Sequence, residues 1–124
     1  MKDSDTMSEQ WKSIEQMLTK RFGKTPNMEA ILFLIGIQEL GQIRKRFTKE
    51  QKQDLMHIAV CTLLSQSGYY QLDEYDQDGW PHFTELKEVP GMDLEEQENF
   101  LKQHIIQYFN TGNVLNLGPD AASR

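Results

Sequence analysis

Trp11, Ile14, Leu18 and Phe22 recur three and four residues apart, one stripe of a 3.6-residue period, which predicts a helix from about Met7 to Phe22. Thr6 with Glu9 three residues on reads as a capping box, and Gly23 as the left-handed stop. The next apolar run, Ile31-Leu32-Phe33-Leu34-Ile35-Gly36-Ile37, has no stripe, so its periodicity fits a buried strand as well as a helix. Its flanks choose helix: Thr25-Pro26 pairs an N-cap with proline at the first helical position, and Gly41 closes the far end. A helix from Pro26 to Leu40 that is apolar nearly all round is expected at the centre of a bundle or under a second subunit.

A third helix opens at Thr48-Lys49-Glu50-Gln51, again a capping box, and carries Leu55, Met56, Ile58, Ala59, Val60, Leu63 and Leu64 to about Ser67. A fourth opens at Asp93 with Glu96 and turns Leu94, Leu101, Ile105, Tyr108 and Phe109 inward. Tyr69 to Met92, between them, holds no helical period. It does hold Tyr69, Tyr70, Tyr75, Trp80 and Phe83, so it is expected as an ordered excursion packed on the bundle. Asp76-Gln77-Asp78-Gly79 is turn chemistry and allows a short hairpin, with Pro81 confining any following strand to an edge or a bulge. The fold class expected is all-α: about four helices in one domain over residues 1–112, with a long aromatic-rich loop between the third and fourth and a partly mobile tail over 113–124.

The length, 124 residues, suits a single domain with its own core. The one cysteine, Cys61, excludes an internal disulfide, and Met1 to Thr6 lacks the apolar stretch of a secretory signal. No apolar run approaches the ~20 residues of a membrane span. A reducing cytoplasm is therefore the expected location. The net charge is −6, which disfavours general affinity for nucleic acid or anionic lipid. It is also uneven: residues 1–52 hold 10 basic and 7 acidic side chains, residues 53–124 hold 3 and 12.

Glu74, Asp76, Asp78, Gly79 and Glu85 stand at positions 1, 3, 5, 6 and 12 of a calcium-loop pattern, which folds early oxygens around the ion and closes it with a final glutamate. Glu74 in place of aspartate, Pro81 in the loop and the lack of an entering helix weigh against it, and a solvated acidic turn is the better account. Asp54 and His57 form a single carboxylate–histidine pair where di-iron bundles need two. His57 with Cys61 reads as a packed histidine beside a buried thiol, since apolar neighbours raise a thiol's pKa. Glu95, Glu96 and Glu98 resemble the magnesium-binding acids of all-helical nucleotide pyrophosphohydrolases, but their place in a helix's first turn is explained by the macrodipole. Arg44-Lys45-Arg46 with Lys49 and Lys52 marks a basic corner without the interleaved aromatics of a nucleic-acid surface.

Asp76-Gln77-Asp78-Gly79-Trp80-Pro81-His82-Phe83, followed by Leu86-Lys87 and the Leu94–Phe109 helix, is similar to a small family of bacterial helical proteins of no known activity. That resemblance implies no catalytic residue. The expected function is accordingly non-enzymatic: a protein-interaction or regulatory module without a cofactor. Its contact surface is Tyr75, Trp80, His82 and Phe83, because aromatics beside a turn give contact area at low entropy cost. At least one of Trp80 and Phe83 is expected to pin the loop to the bundle instead. A homodimer is expected with the second helix near its interface, an uncovered apolar stripe being worth roughly 1.5–3 kcal/mol per buried Leu or Ile. The alternative is a metal-dependent hydrolase or divalent-cation-binding protein with Glu74, Asp76, Asp78 and Glu85 as ligands.

Overall fold

The computed structural model describes residues 3–42, 46–113 and 115. Four helices and one hairpin follow in the order α1 (Asp3–Phe22), α2 (Met28–Leu40), α3 (Lys49–Ser65), β1 (Tyr70–Tyr75), β2 (Pro81–Glu85) and α4 (Leu94–Asn110). The four expected helices are present. The all-α class is not: the segment between α3 and α4 holds a two-stranded antiparallel sheet, so the fold mixes helix and strand. No helical period could reveal this pair, because its strands expose polar residues along most of their length. Among the described residues, no helix is long and apolar enough to cross a membrane.

Local chemistry sets the helix ends. Thr48 caps α3 by accepting from Gln51 N while the Gln51 side chain accepts from Thr48 N. Asp93 and Glu96 do the same for α4. Two starts differ from expectation. Asn27, not Thr25, caps α2, its Oδ1 accepting from Ala30 N at 2.8 Å. Asparagine outranks threonine at this position, and Pro26 then stands before the cap instead of inside the helix. Thr25 Oγ1 lies 2.7 Å from Thr19 Oγ1. Helix α1 begins at Asp3, which places Thr6 within the helix and not at its cap.

Two clusters make up the core. The larger gathers Leu18 of α1, Ile31, Leu34 and Ile35 of α2, Leu63 of α3 and Ile105 of α4, each no more than 1% exposed. Leu115, beyond α4, is buried in the same cluster. The Tyr108 hydroxyl ties α4 to the end of α2, donating to Glu39 Oε2 at 2.6 Å and accepting from Gln38 Nε2 at 3.1 Å. Burial and the bond to Glu39 push its phenol well above the ordinary range. Leu94, expected inward, is 84% exposed, because the first turn of α4 precedes the part of the helix that meets the bundle.

The smaller cluster joins Ile37 and Leu40 of α2, Phe47, and Leu55 and Ile58 of α3, with Phe33, Trp80 and Phe83 against it. Here α2 and α3 come close enough that only glycine fits at position 36. A Cβ there would overlap the Leu55 carbonyl oxygen and lie 2.7 Å from its carbonyl carbon. Glycine in a helix interior ordinarily costs about 1 kcal/mol relative to alanine, so the close crossing of backbones is what retains it. Helix α2 is covered within one chain: Ile31, Leu32, Leu34, Ile35 and Ile37 are all buried, and it presents no uncovered apolar stripe.

Gly36→Ala should therefore destabilise the protein by about 1–3 kcal/mol despite alanine's higher helix propensity. Urea unfolding measures it; a neutral or stabilising result would mean the two backbones do not cross at Gly36.

Candidate functional site

The hairpin is built around one aspartate. Asp76 N donates to Trp80 O at 2.9 Å, and Gly79 N donates to Asp76 O at 3.0 Å. Asp76 Oδ1 accepts from the backbone N–H groups of Asp78 at 2.9 Å and Trp80 at 3.0 Å. Its other oxygen lies 2.9 Å from His82 Nε2. Gly79 adopts φ 85°, a conformation that favours glycine, and the turn reverses there. The hydrogen bond from His82, reinforced by those two backbone donors, holds the Asp76 carboxyl below the usual carboxylate range. Gln42, just beyond α2, donates from Nε2 to Asp78 O at 2.5 Å and so holds the tip against the α2 end of the bundle.

The strands pair Tyr70 with Glu85, Leu72 with Phe83 and Tyr75 with Pro81, with a bulge between Leu72 and Glu74. Pro81 is the first residue of β2, a place where its missing donor is tolerated. Phe83 and Trp80 are half-buried against the α2–α3 cluster and pin the hairpin, while Tyr75 is 58% exposed and His82 is also exposed. The four aromatic and histidine positions expected as one contact surface thus divide into two pins and two exposed side chains.

Where the hairpin tip stands over α3, it forms an open cleft of about 450 Å³. Gln51, Asp54, His57 and Ile58 of α3 make one wall; Asp76, Asp78, Trp80, Pro81, His82 and Phe83 make the other. The α3 residues recur at three and four positions, one face of the helix turned toward the hairpin. His57 is exposed in this cleft, with Nε2 3.5 Å from the Sγ of Cys61, so the thiol is buried but its histidine partner is not packed inside. Burial, with the Glu85 carboxylate adding to it, pushes the Cys61 thiol up to about 11. A thiol so disposed is not a nucleophile at neutral pH.

Glu74, Asp76 and Asp78 lie at or near the hairpin tip and Glu85 at its base, where it accepts from the Tyr70 hydroxyl at 3.3 Å. Four residues of extended strand, at ~3.3 Å each, put roughly 13 Å between Pro81 and Glu85. Both Asp76 oxygens already serve the turn. Among the described residues, no group of three or more His, Cys, Asp or Glu side chains is placed to hold a metal ion. Of the basic corner, Arg44 and Lys45 lie outside the described residues, as do 116–124 of the tail. Glu95, Glu96 and Glu98 stand at the exposed start of α4 and do not line the cleft.

Sequence reasoning did not foresee that Asp54 and His57 would face Asp76 and His82, because the pairing is made by the hairpin folding back on α3. It also passed over Ser67 and His104: Ser67 Oγ lies 2.7 Å from His104 Nε2, across 37 residues of sequence. Comparison with family models, curated proteins and solved structures finds no match for the chain.

Trp80→Ala should cost about 2 kcal/mol, roughly half of what removing a fully buried tryptophan costs, whereas Tyr75→Ala should stay within about 0.5 kcal/mol. Equal effects in urea unfolding would mean that Trp80 does not pin the hairpin. Cys61 gives a second check. Its raised pKa favours the protonated folded state, so its contribution to stability is complete below 9.0 and is lost as pH rises toward about 11. Alkylation by iodoacetamide at pH 8 should require unfolding; rapid modification of the native protein would contradict the burial.

Proposed function

We propose that the protein is a non-enzymatic interaction module that grips a basic segment of a protein partner in the cleft between α3 and the hairpin. The observation that carries this reading is the cleft's composition. Three aspartates, Asp54, Asp76 and Asp78, line it with Trp80, and among the described residues no Lys or Arg lies within ion-pair distance of them. Residues 70–85 contain five acids and no lysine or arginine. A lysine or arginine side chain suits such a lining, because the carboxylates attract it. His82, exposed in the same lining, extends the contact. The free thiol of Cys61 accords with a cytoplasmic location.

The test uses Trp11→Phe protein, in which Trp80 is the remaining tryptophan. Titration with an arginine-rich decapeptide should change its fluorescence with an affinity on the order of 10–100 μM, weakening as salt is raised. Asp54→Asn with Asp78→Asn should abolish the change. An equal response to a glutamate-rich peptide, or no response at about 1 mM, would refute the reading.

Self-association forms part of the proposal only through a surface other than α2. Light scattering of Leu34→Glu should report loss of folding, not a well-folded monomer, because Leu34 is 1% exposed within the single chain. A folded, dissociated Leu34→Glu protein would restore α2 as a dimer interface.

A further inference from the structure

His104 is the buried polar side chain among the described residues, 5% exposed, and both of its ring nitrogens are engaged. Nδ1 lies 2.7 Å from the Phe100 carbonyl oxygen. A carbonyl only accepts, so Nδ1 carries the hydrogen, and in the neutral ring Nε2 is left as an acceptor. The hydroxyl facing Nε2 belongs to Ser67, at 2.7 Å, and the bond therefore runs from Ser67 O–H to His104 Nε2. The arrangement is that of an activated serine: a hydroxyl, a base aligned on it, and a third group fixing the base's tautomer.

The surroundings hold this pair in place and leave its outer side open. Gln66 Nε2 donates to the carbonyls of Leu63 and His104, each at 2.9 Å, which binds the end of α3 to α4 without involving the serine hydroxyl. Phe100 stacks edge-on against His104, ring centroids 4.5 Å apart, and Tyr69 packs on Phe100. Ser67 itself is exposed. At the next residue, Gly68, the space a Cβ would take is clear except for Lys87 Nζ at 4.0 Å. That ammonium lies over the Tyr69 ring, 4.5 Å from its centroid. The backbone N–H groups of residues 66 to 69 are all bonded within the turn.

We infer that Ser67 is a base-activated nucleophile that takes an acyl group from small activated carboxylic esters. Ser67 Oγ attacks the acyl carbon and its proton passes to His104 Nε2. The ester C–O bond breaks, and the departing alcohol or phenol receives that proton. The products are an O-acyl serine and the free alcohol, with the imidazole returned to its neutral form. General-base assistance of this kind contributes typically 10²–10⁴-fold. The site is independent of the α3–hairpin cleft.

The experiment is acetylation by p-nitrophenyl acetate, followed by peptide mapping of the acetylated residues in native protein and in protein unfolded in urea. Ser67 should acquire acetyl at least about 100-fold faster in the native protein than in the unfolded chain, and faster than the other serines and threonines. Ser67→Ala, which leaves the Gln66 bonds in place, should keep its circular dichroism and lose the product. A serine that merely tethers α3 to α4 would show no native-state preference. Equal acetylation of Ser67 in folded and unfolded protein, or acetyl confined to lysines, would overturn the assignment.

Discussion

The close crossing of α2 and α3 at Gly36 and Leu55 is the constraint on which the rest of the structure depends. Backbones this near allow Ile37, Leu40, Leu55 and Ile58 to close into one cluster, and that cluster is the floor on which Trp80 and Phe83 rest. Separate the two helices by the width of a methyl group and the hairpin loses the surface that positions it. The cleft is then lost as well, since one of its walls is the hairpin and the other is α3. Packing at protein density explains why so small a change propagates: a well-filled interior has no slack to absorb it.

Helix α3 consequently faces three ways. Its Ala59 and Leu63 join the main core with α1, α2 and α4; Leu55 and Ile58 meet the end of α2; Gln51, Asp54 and His57 are left toward the hairpin. Its ends are used too, with a capping box at Thr48 and the Gln66–Ser67 turn bound to His104 of α4. The hairpin is a different kind of element. A two-stranded sheet is marginal on its own, and this one is stabilised by its Asp76 turn and by two aromatic pins.

What could be read in the sequence was what is decided locally. The Thr48–Gln51 and Asp93–Glu96 caps are reciprocal bonds over three residues, and Asp76 to Gly79 forms the turn its residues favour. The start of α2 slipped because neighbouring residues offer competing caps, Asn27 against Thr25. The hairpin was legible as a turn but not as a fold class: one face of its strands is polar and the other is satisfied by a cluster assembled from α2 and α3. Gly36 could be seen as a glycine inside a helix, yet its reason is the Leu55 carbonyl on another helix. The same holds for the cleft and for Ser67 with His104, where each partner is unremarkable until the chain brings the other to it.

Native-state hydrogen exchange measures this hierarchy directly. Amides in the middle of α2 and α3, around Ile35 and Leu55, should exchange only through global unfolding, and the Leu72–Phe83 hairpin amides through a smaller, separate opening that leaves the helices protected. In Gly36→Ala, protection of the hairpin should fall together with that of α2 and α3. Hairpin amides that keep their full protection while the α2–α3 pair opens would contradict the account.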